Sequence, residues 1–292
     1  MNQQKLKIKT IDDIELAAIL LENPSAKAVV QINGATATPK EYYLPFAQFL
    51  VEHGFTVCLF DYRGVCESQP EGGLKGCEYE YLDWGQKDMP AVMEFLDNRY
   101  PTLPKLLVGH SVGGQKFGFM PNHHKASGLV TFASSSGYWG YMPLGYRIQT
   151  HFFFEIFRPI SHLIWGYTAT KRFKLMEDLP KNIMNTWREW CSVKEYFFDP
   201  KFYERDAAKG FYQSLKMPIQ VFWTTDDTIA TERNVNSFWK NVKSSGGIEI
   251  TKIRPEEIKA KAIGHFGFFR KKFKDTIWQM ALVKLNEFLP RE

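Results

Sequence analysis

The feature that most constrains the fold is a glycine-flanked turn in the middle of the chain. The apolar run Leu106–Val108 leads directly into Gly109–Gly113, which reads Gly-His-Ser-Val-Gly. This is the G-x-S-x-G pattern, here in the order strand, sharp turn, potential helix. Such a turn lifts the Ser111 hydroxyl clear of the backbone and aims the N–H groups of the next helix at the same point. The pattern predicts a serine nucleophile, although a glycine-rich turn after a buried strand is the alternative.

Apolar runs separated by stretches with helical periodicity recur on both sides of this turn. The runs are continuous rather than alternating, which is typical of a parallel sheet covered on both faces. The predicted strands are Leu6–Thr10, Ile14–Leu21, Ala28–Ile32, Phe55–Phe60, Leu106–Val108, Gly128–Ala133, Ile219–Trp223 and Gly247–Ile253.

Helix signals lie between several of these runs. Thr38–Glu41 reads as a capping box with proline at the first helical position. Further helices are expected over 81–99, after Ser111 and from about Thr231. In the last helix an apolar residue recurs every four positions, at Phe273, Ile277, Ala281 and Leu285.

The alternation stops after Ser134–Gly137 and resumes at Ile219. The residues between are rich in Tyr, Trp, Phe and Arg, with helical stretches. We interpret 137–213 as an inserted, mainly helical cap, and 1–136 with 214–292 as the sheet domain.

Composition excludes several classes of protein. The chain has 292 residues, of which 44% are hydrophobic and 24% charged, as in ordinary globular proteins. The net charge is +5, and the basic run Arg270–Lys272 is expected to be a solvated helix face, so no nucleic-acid partner is predicted. The apolar segment Phe152–Trp165 is interrupted by charges and a proline, so no integral membrane association is predicted.

Cysteine and histidine usage gives no sign of a metal site or a cofactor. Cys58, Cys66, Cys77 and Cys191 lack metal-ligand spacing, and no apolar signal core precedes them. Reduced thiols and a cytoplasmic protein are expected, with a Cys66–Cys77 bridge as the alternative.

A serine nucleophile needs a base and a group that orients the base. Catalytic groups of parallel sheets lie beyond the carboxyl ends of the strands. Asp226 and Asp227 follow the strand Ile219–Trp223, and His265 follows the next strand between Gly264 and Phe266. The order Ser, Asp, His along the chain differs from that of the chymotrypsin and subtilisin types.

With these residues the chain resembles the α/β-hydrolases, and within them the serine aminopeptidase and monoglyceride-lipase-like branch with its uncharacterised bacterial members. The motifs that carry the resemblance are Asn33-Gly34, Asp61-Tyr62-Arg63-Gly64, Gly109–Gly114, Asp226-Asp227 and Gly264-His265-Phe266-Gly267. The resemblance implies an α/β-hydrolase fold, with a mostly parallel eight-stranded sheet, flanking helices and an inserted cap.

The resemblance also implies roles for single residues. Ser111 would be the nucleophile and His265 the general base and acid. Asp227 is preferred to Asp226 as the orienting acid, because relatives place it directly before a short residue and an aliphatic one. The oxyanion hole would use the backbone N–H groups of Val112 and Ala35.

Two positions depart from the usual pattern of relatives. Asn33-Gly34 stands where many have His-Gly, and Val65-Cys66 stands where a second glycine is usual. The residues expected to contact substrate are Asn33, Gly34, Tyr138 and Trp139.

The function predicted from the sequence is hydrolysis of carboxylic esters through an acyl-enzyme, without cofactor or metal, by a monomer or homodimer. A peptidase or thioesterase with the same three residues is an alternative. A non-catalytic ligand-binding protein is another, and a third is an interaction protein whose aromatic cap contacts a second copy or a membrane surface.

Overall fold

The structure is a computed structural model that describes residues 2–207 and 209–290. Eight strands form one sheet in the order β1-β2-β4-β3-β5-β6-β7-β8. The strands are β1 (Asn2–Lys9), β2 (Glu15–Glu22), β3 (Ala28–Asn33), β4 (Phe55–Phe60), β5 (Lys105–His110), β6 (Ala126–Phe132), β7 (Ile219–Thr224) and β8 (Ile248–Ile253). Strand β2 is antiparallel to both of its neighbours, and all other neighbouring strands are parallel.

Eight helices in the described part of the chain accompany this sheet, and the first, second and last of them pack against its strands. The eight helices are α1 (Leu44–Glu52), α2 (Met89–Arg99), α3 (Leu144–Phe152), α4 (Arg158–Trp165), α5 (Lys181–Cys191), α6 (Glu232–Trp239), the single turn α7 (Gly264–Gly267) and α8 (Ile277–Glu287). Helices α1 and α8 pack together, with the rings of Phe46 and Trp278 5.4 Å apart. Every residue of β3, β4, β5 and β7 is buried, as continuous apolar runs require.

The predicted mostly parallel α/β architecture is confirmed, and so is the buried stripe of the last helix. Ile277, Ala281 and Leu285 are fully buried in α8, and Phe273 is buried just before it. The expected helix after Ser111 was wrong, because two short 3₁₀ turns, Ser111–Gly114 and Lys116–Phe119, take its place. Three glycines within this short stretch disfavour a regular helix.

The start of α1 also differs from the predicted capping box. The Thr38 hydroxyl donates to the Thr36 carbonyl, and a 3₁₀ turn begins at Lys40. The Lys40 N–H donates instead to Asp61 Oδ1 at 2.8 Å, and its ammonium donates to Asp61 Oδ2 at 2.7 Å. Asp61 therefore holds the first turn before α1 against the end of β4, and both charged groups are buried.

Between β6 and β7 the chain forms helices and loops. From Leu144 to Trp165 it is helical throughout, since a π turn at Phe153–Phe157 joins α3 to α4. Helix α5 and several short turns follow. None of the helices in the described part of the chain combines the length and hydropathy needed to cross a membrane.

The carboxyl ends of the six parallel strands, β3 to β8, lie along one edge of the sheet. Chain segments leaving β3, β5, β6, β7 and β8 therefore emerge side by side, and these segments carry every predicted catalytic residue.

Candidate active site

The turn after β5 is strained at the serine. Ser111 has φ = 51°, a left-handed conformation that is uncommon for a residue with a side chain. Its neighbours must be small, because a Cβ on Gly113 would overlap the Asn33 carbonyl and one on Gly114 would overlap the Thr131 hydroxyl. The turn is thus pressed against the ends of β3 and β6, and the sheet itself holds Ser111 in its strained conformation.

His265 and Asp227 form a close pair. His265 Nδ1 lies 2.8 Å from Asp227 Oδ2, and both side chains are buried. The other carboxylate oxygen of Asp227 accepts the N–H groups of Ile229 and Ala230 at 2.7 and 2.9 Å. These two bonds fix the carboxylate, and the carboxylate in turn orients the imidazole.

Asp226, the alternative acid, has a different set of partners. It accepts the Thr224 hydroxyl at 2.7 Å and the N–H groups of Ile263 and Gly264 at 2.8 and 3.1 Å. Burial raises the pKa of this carboxyl, but the hydrogen bonds outweigh burial and hold the pKa below its ordinary value. Asp226 therefore anchors the loop that carries His265, whereas Asp227 contacts the imidazole itself.

A second histidine, His110, directly precedes Ser111 and links the Tyr43 side chain to the backbone of His265. His110 is fully buried, with Nδ1 2.8 Å from Tyr43 Oη and Nε2 2.9 Å from the His265 carbonyl. Burial lowers the pKa of His110 to about 3, so the ring is neutral at physiological pH. Because the carbonyl can only accept, Nε2 carries the proton and the Tyr43 hydroxyl donates to Nδ1.

The backbone N–H of Ala35, the predicted second oxyanion donor, already donates a hydrogen bond within the protein. The Ala35 N–H donates to Tyr43 Oη at 2.7 Å, so in this structure its hydrogen is bonded to the tyrosine. The hydrogen-bond chain runs from Ala35 through Tyr43 and His110 to the backbone of His265. Sequence reasoning missed Tyr43, which lies on the 3₁₀ turn before α1 and carries no motif of its own.

Ser111 and His265 open into one large cavity of about 1080 Å³. Val112, the other predicted oxyanion donor, lines it beside them, as does Ala35. Most of the lining is apolar, and much of it comes from the segment between β6 and β7. The apolar cap residues that line the cavity are Met142, Ile148, Phe152, Phe153, Phe154, Phe157, Leu175, Met176, Trp187 and Cys191.

The four residues predicted to contact substrate are not among the residues that line the cavity. Asn33 is buried under the turn, where its Oδ1 accepts from Gln31, and Gly34 packs against Tyr43. The Tyr138 ring packs on Tyr141, and Trp139 packs on Phe154. These side chains serve the packing around the cavity and do not line it.

Several further polar residues line the cavity beside Ser111 and His265. Thr36 and Tyr81 line the cavity with their hydroxyls 3.0 Å apart, and Tyr196 lies beside them. Lys171 and Glu177 also line it and form an ion pair at 2.9 Å. No short motif marks these residues, because most of them lie far apart in the sequence and come together only in the folded chain.

The part of the chain that the structure describes has no cluster of potential metal ligands and no disulfide. Within residues 2–207 and 209–290, no group of three or more His, Cys, Asp or Glu side chains could hold a metal ion. Cys66 and Cys77 are free thiols, so the bridge considered from the sequence is not formed.

The sequence matches one known protein family. The sequence profile of the family described as serine aminopeptidase, S33, matches residues 23–183, which is more than half of the chain. No curated protein sequence matches the chain.

Solved structures with a similar fold include several hydrolases. A soluble variant of monoglyceride lipase from Saccharomyces cerevisiae, in complex with a substrate analog, is 14% identical, with a TM-score of 0.71 over 100% of this chain and 97% of that one. An esterase from Pyrococcus furiosus is 16% identical, with a TM-score of 0.66 over 99% and 92%. A thermostable carboxyl esterase from Bacillus coagulans, in complex with glycerol, is 14% identical, with a TM-score of 0.64 over 99% and 100%. At these identities the likeness establishes the fold.

Proposed function

The chain belongs to the serine aminopeptidase S33 family of α/β-hydrolases, and from this premise we propose that it is a serine hydrolase of carboxylic esters. The observation that carries the proposal is the convergence of Ser111, His265 and Asp227 at one edge of the sheet. Ser111 is strained and faces the cavity, His265 faces the same cavity, and Asp227 holds His265 at 2.8 Å.

The proposed reaction follows from these three groups. His265 Nε2 removes the proton of the Ser111 hydroxyl as the oxygen attacks the ester carbonyl carbon, and Asp227 stabilises the imidazolium that forms. Collapse of the tetrahedral intermediate breaks the bond to the alcohol, which takes the proton from His265. Water then attacks the acyl-enzyme by the same route, and the carboxylic acid leaves.

Stabilisation of the oxyanion is assigned first to Val112. Its N–H follows the nucleophile directly, and the residue lines the cavity beside Ser111. The Ala35 N–H would act as the second donor only by exchanging its bond to Tyr43 for one to the substrate oxygen.

The lining of the cavity favours substrates with a large apolar group. Residues 137–213 are proposed as the cap that sets this preference, since phenylalanines 152, 153, 154 and 157 all line the cavity. A volume of about 1080 Å³ is ample for a medium or long acyl chain or an aromatic group.

An aminopeptidase activity, despite the name of the family, is less well supported. Such an enzyme needs a free carboxylate to hold the substrate's ammonium group. Of the described residues that line the cavity, Glu177 alone is acidic, and it already pairs with Lys171 at 2.9 Å. Binding an ammonium group there would require breaking this pair.

The proposal is tested with p-nitrophenyl esters of increasing acyl length, assayed with the wild type and Ser111→Ala. The wild type is expected to hydrolyse them, with kcat/KM rising from acetyl to longer chains. Ser111→Ala should lower turnover by about 10³-fold or more.

Ser135→Ala is the matched control, because Ser135 is a buried serine that lines the same cavity without lying in the strained turn. Its turnover should stay within about tenfold of the wild type. Equal activity of Ser111→Ala and the wild type would contradict the proposal, and so would hydrolysis of aminoacyl amides in preference to esters.

A further inference from the structure

Most apolar side chains of the long cap helix from Leu144 to Trp165 are not buried in the protein. Only Phe154 and Ser161 are buried along the whole segment α3, π turn and α4. Nine of the fourteen large apolar side chains exposed in the described chain lie between 144 and 175, at 48% to 86% exposure. We name this set the cap face: Leu144, Ile148, Phe152, Ile156, Ile160, Leu163, Ile164, Phe173 and Leu175. Isolated exposed apolar residues are common, but such a concentration marks a contact surface.

The cap face follows a four-residue repeat along the helix, from Leu144 to Ile164. In an α-helix four residues exceed one turn of 3.6, so such a repeat drifts around the axis. The π turn at Phe153–Phe157 winds more widely, so that four residues there fall short of a turn. The π turn therefore reduces the drift and narrows the apolar stripe around the helix axis.

The cap face is continuous with the cavity that contains Ser111. Ile148, Phe152 and Leu175 are exposed members of the face and also line the cavity. The cavity thus reaches the protein surface at the cap face, where its rim is apolar.

The charges around this face have one predominant sign. Residues 144–175 contain five Lys or Arg and one acidic residue, Glu155, which is paired with Arg188. Lys171, Arg172 and Lys174 stand exposed beside Phe173 and Leu175, and Lys171 is paired with Glu177. A second copy of the chain would bring two such cationic faces together, which is unfavourable, whereas an anionic surface complements them.

We propose that the cap face docks the enzyme on an anionic lipid surface, with the mouth of the cavity turned towards the lipid. Apolar side chains on the exposed side of a helix, flanked by Lys and Arg, are the features that hold a helix in the plane of a membrane interface. Docking rests on the surface alone. Its further role, delivery of acyl esters from the lipid to Ser111, rests on the proposed function.

Co-sedimentation with vesicles tests the docking. Wild-type protein should pellet with phosphatidylcholine vesicles that contain phosphatidylserine as roughly a third of the lipid, and less with pure phosphatidylcholine. Ile160→Asp combined with Leu163→Asp should lower the bound-to-free ratio at least about tenfold, because both residues lie on the cap face outside the cavity lining. Ile11→Asp combined with Val283→Asp, an equal change at exposed apolar positions elsewhere, should bind like the wild type.

The same experiment separates docking from catalysis. Ser111→Ala should bind vesicles like the wild type while losing esterase activity, and Ile160→Asp/Leu163→Asp should keep its turnover of a water-soluble acetyl ester. Vesicle binding without esterase activity in the wild type would leave docking intact and overturn the proposed function.

Three results would overturn docking. The first is wild-type protein that stays in the supernatant with both kinds of vesicle. The second is equal pelleting of the cap-face variant and the wild type. The third is a wild-type dimer that Ile160→Asp/Leu163→Asp converts to a monomer without any change in vesicle binding, which would identify a second copy as the partner.

Discussion

Two adjacent aspartates have separate tasks in the loop after β7. Asp227 contacts the His265 imidazole at 2.8 Å, and Asp226 binds the backbone of Ile263 and Gly264. One carboxylate therefore orients the proposed base, while the other fixes the loop that presents it. Asp227 is preferred from the sequence as the orienting acid because Thr228 and Ile229 follow it, and the contact with His265 agrees with that preference. Nothing in the sequence indicated the separate role of Asp226, since the two aspartates are neighbours in the chain.

Replacing each aspartate by asparagine separates them experimentally. Asp227→Asn should lower kcat by about 10³- to 10⁴-fold, because a neutral amide neither orients nor stabilises the imidazolium equally well. Asp226→Asn should keep kcat within about tenfold but lower the free energy of unfolding by about 1–3 kcal/mol, since its carboxylate accepts two backbone N–H groups. Ester kinetics and urea unfolding of both variants check this, and an equal loss of kcat in the two would contradict the assignment.

At the scale of elements, the end of β5 is tied to α7 and to the 3₁₀ turn before α1. His110, the last residue of β5, bonds to Tyr43 on one side and to the His265 carbonyl on the other. A buried neutral imidazole thus joins three segments that are far apart in sequence. A histidine suits this position because a neutral imidazole has one acceptor and one donor nitrogen. Nδ1 accepts from Tyr43 and Nε2 donates to the His265 carbonyl, so His110 positions the segment that carries His265.

This arrangement makes stability depend on pH. Burial lowers the pKa of His110 to about 3, whereas in the unfolded chain it is about 6.5. The unfolded state therefore binds the extra proton as the pH falls below about 6.5, and the stability contributed by neutral His110 is lost between about pH 6.5 and 3. From pH 7.5 to 5 this loss amounts to roughly 2 kcal/mol.

His110→Gln tests the assignment, because glutamine does not take up this proton. The variant should be less stable than the wild type at pH 7.5, and the gap should narrow by roughly 2 kcal/mol at pH 5. Urea unfolding at the two pH values measures the gap. A gap of the same size at both would show that His110 is not buried in its neutral form.

At the scale of the whole molecule, the parallel sheet brings distant motifs together. Alternating apolar runs and helical segments were enough to predict the sheet, and the carboxyl ends of its strands predicted where Ser111, Asp227 and His265 would meet. Arg63, from a motif recognised by resemblance, proves to join remote segments, with bonds to Asp12 and Asp88 at 2.8 and 2.7 Å. The three carboxylates around it, Asp83 included, hold its pKa above the ordinary value despite burial.

The rest of the site depends on contacts that no local pattern encodes. Tyr43 bonds the Ala35 N–H only because the turn before α1 folds against the loop after β3, so the sequence could not show that this donor is engaged. In the cap, some aromatic residues line the cavity and others pack against neighbouring side chains, and no regular spacing in the sequence distinguishes the two groups. Tyr138 and Trp139, predicted to contact substrate, lie outside the lining, whereas Phe152 and Phe153 line the cavity.

The central claim is that Ser111 is the nucleophile of a serine hydrolase. The most direct measurement is reaction with a fluorophosphonate, followed by mass spectrometry of the intact chain and of its peptides. We expect one adduct per chain, located on Ser111, absent in Ser111→Ala and formed much more slowly in Asp227→Asn. An adduct on another residue, or none under conditions that label a known serine hydrolase, would contradict the account.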